Sequence, residues 1–197
     1  DRGAFEPVEL NAVVLQTVEL FRAALPRARV EVRMRLGAGA RVLGSPRLLE
    51  QVLLNLFLNA GQARPTGLVL TVSTEVLAAA EAAPFASLAA GEAVRLRVAD
   101  NGPGFAPEAR ARLFEAFATS KDDGTGIGLS LSRRIVSAHG GRIDADEAPA
   151  GGARFTIVLP AIEPAPAPAA PPPAFAAQAA EPARPVLPVE AGAVAAP

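Results

Sequence analysis

Between positions 10 and 25, LNAVVLQTVELFRAAL repeats its apolar residues at helical spacing, whereas VEVRMRL at 30–36 alternates apolar and charged residues with the two-residue period of a strand. A second short strand is expected at 41–43. Ser45 followed by Pro46 reads as an N-cap with proline at the first helical position, opening a long helix that runs to about Ala63, where Pro65 and Gly67 stop it. On a 3.6-residue period this helix is lopsided. Gln51, Asn55, Asn59 and Gln62 form one narrow polar stripe, while Leu48, Leu49, Val52, Leu53, Leu56 and Phe57 cover much of the remaining circumference. Each carboxamide left unpaired in a core would cost roughly 1–3 kcal/mol, so either neighbouring backbone or a polar ligand satisfies Asn55 and Asn59.

Farther along, LVLTVSTEV at 68–76 and AVRLRVA at 93–99 are expected to be adjacent strands joined by an alanine-rich loop. A short helix is expected at 107–113 and a longer one at 126–138, with Gly140 at its C′ end and two last strands near 141–146 and 154–159. Helices interspersed with mostly hairpin-like strands predict an α+β fold, a two-layer sandwich whose mixed, mostly antiparallel sheet is covered on one face by helices.

After about Pro160 the composition shifts to proline and alanine (APAPAAPPPAFAAQAAEPARP), with few large apolar residues and no sustained period. Such a segment cannot offset the entropy of ordering its chain, so 161–197 is expected to be a linker or tail and 5–160 the folded domain, with 1–4 the end of an upstream linker. The opening DRGAFEPVEL has neither an initiator methionine nor a signal-peptide layout, and reads as a cut from something longer. The 197 residues carry a net charge of -1, which argues against general nucleic-acid binding. No apolar run approaches the roughly 18 residues needed to cross a bilayer, so a soluble piece with no direct membrane contact is expected, membrane attachment of the full-length protein being left open. The absence of cysteine excludes disulfides, thiolate metal sites and thiol nucleophiles.

Two further polar interruptions stand out. DNGPGF, from Asp100 to Phe105, follows an apolar strand; Gly102 and Gly104 permit close approach of a ligand, yet an Asn-Gly turn with a capping aspartate would read the same. In DDGTGIGLSLSRRIV, Gly124, Gly126 and Gly128 alternate immediately before an amphipathic helix, which suits an anion at the exposed N–H groups and equally suits a tight turn. It matches neither a Walker A loop nor G-x-G-x-x-G.

The ordered combination is more specific than its parts. NLFLNA on a helix, then DNGPG, then FEAF at 114–117, then GTGIGL resemble the N, G1, F and G2 boxes of the ATP-binding domain of sensor histidine kinases, relatives of gyrase, the heat-shock chaperone ATPases and MutL. LFEAFATSK followed closely by GTGIGLS looks most like the nitrogen-regulation type with a short lid. The resemblance implies the Bergerat-type ATP-binding fold and Mg-ATP as ligand. Asn59 would bind Mg²⁺ and Asn55 would sit beside the phosphates, these two being the catalytic candidates. Asp100 would accept a hydrogen bond from the adenine amine, with Gly102 and Gly104 beside the base. Lys121, Gly124, Thr125, Gly126, Gly128 and Leu129 would form the lid and phosphate wall, with Phe114 and Phe117 as packing and Arg133 and Arg134 on an exposed face. Where the family often has a hydroxyl near the adenine, this chain has Ala153.

The implied reaction is donation of the γ-phosphoryl group to a histidine on a separate dimerisation and phosphotransfer domain, and from there to a response regulator receiver domain. His139, the one histidine, is expected to be a structural residue at a helix end where a cation would favour the dipole. Two alternatives remain at this stage: a serine kinase or ATPase of the same superfamily, and a degenerate docking module. Asn55 stands where the hydrolytic members use a glutamate, which disfavours hydrolysis.

Overall fold

The computed structural model describes residues 4–24, 30–82, 91–105, 110, 112–115, 127–149 and 151–162. Strand β1 (Glu6–Glu9) leads directly into helix α1 (Leu10–Ala24), whose Leu10 N–H donates to the Ala40 carbonyl at 2.8 Å. Strands β2 (Val30–Leu36) and β3 (Arg41–Gly44) follow, then helix α2 (Pro46–Ala63), strand β4 (Leu68–Leu77), a helical turn α3 (Ala79–Ala82) and strand β5 (Ala93–Asp100). Helix α4 (Gly128–Ala138) and strands β6 (Arg142–Glu147) and β7 (Ala153–Pro160) complete the order.

Five strands form one sheet in the order β2-β4-β5-β7-β6, with β2 parallel to β4 and every other pair antiparallel. The short strand expected at 41–43 is present but does not join that sheet. It pairs antiparallel with β1, a strand of four residues too short to show a period, in a separate two-stranded ribbon. Alternation then sorts the large sheet. Leu70, Val72, Val94, Leu96, Val98, Phe155 and Ile157 face one side, where Val14, Val18 and Phe21 of α1, Leu53, Leu56 and Phe57 of α2 and Ile135 and Val136 of α4 complete a single core. Phe21 meets Phe57 edge-on at 5.6 Å between ring centroids.

The opposite register positions bury a small apolar cluster of Leu77, Ala93 and Val158 beside a row of ion pairs: Arg95 and Arg97 share Glu75, Arg154 clamps Asp146, and Arg142 reaches Asp144. The Arg95 guanidinium holds the Glu75 carboxyl below its ordinary range, and Arg154 does the same to Asp146.

Helix ends follow their local chemistry. The Ser45 hydroxyl accepts from Leu48 N–H at 3.5 Å and Pro46 occupies the first turn of α2, as the sequence predicts. At the far end of α4, Gly140 takes a φ of 72°, letting Gly141 N–H reach the Val136 carbonyl and Gly140 N–H the Ser137 carbonyl, a Schellman closure.

Candidate functional site

Helix α2 buries Leu49, Val52, Leu53, Leu56, Phe57 and Ala60, so its polar stripe lies on the side left over. Asn55, half-buried, donates from Nδ2 to Ser132 Oγ at 3.0 Å, and that hydroxyl donates in turn to the Gly128 carbonyl at 2.9 Å. This chain of two bonds ties the middle of α2 to the first turn of α4. The contact is close enough to dictate a glycine: a Cβ at Gly128 would collide with Asn55 Oδ1 and stand 3.0 Å from its Cγ. Helix α4 begins at Gly128 and lacks a side-chain cap, because Ile127 supplies none; its first N–H groups are therefore left to other acceptors. Leu129 packs against the core from the same turn.

One turn farther along α2, half-buried Asn59 keeps its amide open to solvent and has no hydrogen-bond partner among the described residues. One more turn brings Ala63, whose Cβ lies 3.7 Å from the place a Cβ on Gly102 would occupy. Positions 55, 59 and 63 share a helix face. Asn59 therefore sits between the turn that touches α4 and the turn that touches the loop after β5.

In that loop Asp100 Oδ1 accepts two backbone hydrogen bonds, from Gly102 N–H at 2.7 Å and from Ala153 N–H at 3.1 Å. Its second oxygen, Oδ2, has no partner among the described residues. Gly104 has a φ of 76°, and a Cβ there would sit 3.5 Å from the Gly152 carbonyl oxygen. The closest approach of all belongs to Gly152, at a φ of 88°, where a Cβ would run into the Asp100 carbonyl oxygen and come within 2.8 Å of its Oδ1. Gly152 and Ser132 escaped the reading of the sequence; a Gly-Gly pair before the last strand and a serine one turn into the helix were their only signals.

Lys121, Gly124, Thr125, Gly126 and Phe117 lie outside the described residues, as does most of the short helix expected at 107–113. Phe114 packs against the core as expected. Arg133 is exposed, yet its guanidinium lies over the Phe114 ring, 5.7 Å from the centroid, so it is more than a solvated face.

His139 takes the structural place at a helix end that the sequence predicts. It is buried at the end of α4, where Nδ1 lies 2.7 Å from the Ile135 carbonyl and Nε2 accepts from Ser45 N–H at 3.0 Å. A carbonyl partner needs a proton on Nδ1 and an N–H partner needs a lone pair on Nε2, so the ring serves as a neutral bridge from α4 to the cap of α2 rather than as a cation. Phe5 stacks on it at 4.5 Å, and Gly44 leaves the space its edge fills. Replacing His139 with alanine strands the buried Ser45 N–H and opens a cavity; chemical denaturation should show a loss of about 2–4 kcal/mol.

Residues 44–163 match the model of the histidine kinase-, DNA gyrase B-, and HSP90-like ATPases. The sensor protein FixL of Bradyrhizobium diazoefficiens is 35% identical over 159 residues, covering 78% of this chain and 29% of the relative. The catalytic domain of histidine kinase ThkA superposes with a TM-score of 0.67 at 26% identity, over 80% of this chain and 95% of that one. Full-length ShkA in complex with AMPPNP gives a TM-score of 0.67 at 29% identity, over 82% of this chain and 32% of that one. The chain thus spans roughly a third or less of the curated sensor kinase it matches. By fold, by its ordered boxes and by these matches, the chain belongs to the histidine kinase-, DNA gyrase B-, and HSP90-like ATPase family.

Proposed function

We propose that this domain binds Mg-ATP along the polar stripe of α2 and donates the γ-phosphoryl group to a histidine of a separate dimerisation domain in a cytoplasmic two-component sensor kinase. A receiver domain of a response regulator would be the next acceptor. The observation that carries the reading is the position of Asn59, half-buried and without a hydrogen-bond partner among the described residues, on the helix face that touches both the start of α4 and the Asp100 loop.

The residues fit the ligand. Asn59 offers one carboxamide oxygen, a hard ligand of the kind Mg²⁺ would take beside waters and phosphate oxygens. The uncapped first turn of α4 offers N–H groups to phosphate, and the glycines at 102, 128 and 152 let backbone close in where a side chain would intrude. When bound, the metal nucleotide supplies a phosphoryl group whose charge the cation already shares. Asp100 Oδ2 would take the adenine amine, while Oδ1 is committed to holding the loop. Asn55 is spent on Ser132 and has no carboxylate with which to activate water, so α2 serves transfer better than hydrolysis. His139 is unsuited to receive phosphate, being buried with both ring nitrogens engaged.

Incubating the chain with [γ-³²P]ATP, Mg²⁺ and the dimerisation domain of its parent protein should label that domain's histidine. Asn59→Ala should slow labelling by about a hundredfold or more, the scale seen when a group that stabilises developing charge is removed, while circular dichroism stays unchanged. Full-rate labelling by the alanine variant would overturn the metal assignment, and no labelling by the native chain would overturn the reaction.

A further inference from the structure

We infer that Asn101, braced by Arg64, is a positioning residue that aims the Asp100 carboxylate and so sets the base selectivity of the site. The inference rests on the adenine reading of Asp100 above. The β4–β5 ladder ends at the pair Leu70 and Asp100. Beyond it the side chain of Asn101 takes over: Oδ1 accepts from Val69 N–H at 2.9 Å and Nδ2 donates to the Gly67 carbonyl at 3.1 Å. A carboxamide presents one acceptor and one donor in peptide geometry, so it imitates one more residue of β5 and prolongs the ladder past its last backbone partner. The partners also fix which end is nitrogen, since an N–H faces one atom and a carbonyl the other.

Arg64, the C-cap of α2, closes the arrangement. Its Nε donates to the Gly67 carbonyl at 3.2 Å and its Nη1 to the Asn101 carbonyl at 3.1 Å. The backbone from which the Asp100 side chain departs is thus tied to the start of β4 and to the end of the helix that carries Asn59. Gly102 and Ala153 N–H groups steer only the near oxygen, Oδ1. A simple Asn-Gly turn does not explain these contacts, because the asparagine bonds residues 32 and 34 positions away.

The test is titration calorimetry with three probes, Mg-ADP, Mg-GDP and Mg-tripolyphosphate. Asn101→Ala should weaken Mg-ADP about tenfold, the scale of one or two lost hydrogen bonds, and lower the preference for ADP over GDP by a similar factor. Affinity for tripolyphosphate should stay within about twofold, since the phosphate end is held by other elements. Arg64→Ala, a milder change at an exposed site, should show the same selectivity pattern at about two- to threefold and carries the test if the first variant does not fold. Combined with Asp100→Asn, the Asn101 change should add nothing, because it acts through that carboxylate. Equal weakening of all three probes, or additivity with Asp100→Asn, would overturn the inference alone. A native chain with no preference for ADP over GDP would overturn the adenine reading and this inference with it.

Discussion

Asp100→Asn should reduce Mg-ADP affinity by about a hundredfold in a calorimetric titration while barely moving the unfolding midpoint, because the change inverts one hydrogen bond at a buried ligand edge and leaves the rest intact. The two backbone N–H groups that hold Oδ1 find the same acceptor in the asparagine carbonyl. The nitrogen then replaces Oδ2. Where an acceptor faced the adenine amine there is now a second donor, and two donors meet without a proton acceptor between them. Guanine presents a carbonyl at that edge, so its nucleotide should lose far less and the ADP to GDP preference should fall steeply. Unchanged ADP affinity in a folded variant would remove Asp100 from the site.

How far a sequence exposes such a site depends on the range of the interaction. Ser45 and Pro46 announce the start of α2 because capping is settled within one turn, and Gly140 announces the end of α4 for the same reason. The stripe of Asn55 and Asn59 is legible because burial has a period. The partner of β3 was not legible: four residues carry no usable period, and β1 lies more than thirty positions away. Ser45 and His139 are 94 positions apart, so the bridge between them has no local signature, and the sequence marks His139 only as a structural residue at a helix end. Asp100 was named through its resemblance to a family motif, whereas Ser132, Asn101 and Gly152 owe their places to contacts that only the fold brings about. Lys121, Gly124, Thr125 and Gly126, which the resemblance places at the phosphates, fall outside the described residues.

Two neighbouring glycines allow backbone conformation to be separated from close approach. Gly151 and Gly152 have φ values of 85° and 88°, so an L side chain is strained at either. At Gly151 an added methyl meets nothing within 4 Å. Gly151→Ala should therefore cost only about 1–2 kcal/mol in urea unfolding, the penalty for holding alanine at positive φ, and leave nucleotide affinity unchanged. At Gly152 the same methyl runs into the Asp100 carbonyl oxygen and stands 2.7 Å from its carbonyl carbon, a backbone that cannot rotate away as a side-chain tip could. Gly152→Ala should cost on the order of 3 kcal/mol or more, adding overpacking to the same strain. Because Asp100 must move for the methyl to fit, Mg-ADP affinity should fall in whatever fraction remains folded. Equal destabilisation by the two variants would mean that φ alone keeps glycine here, and that β7 does not press against the loop that presents Asp100.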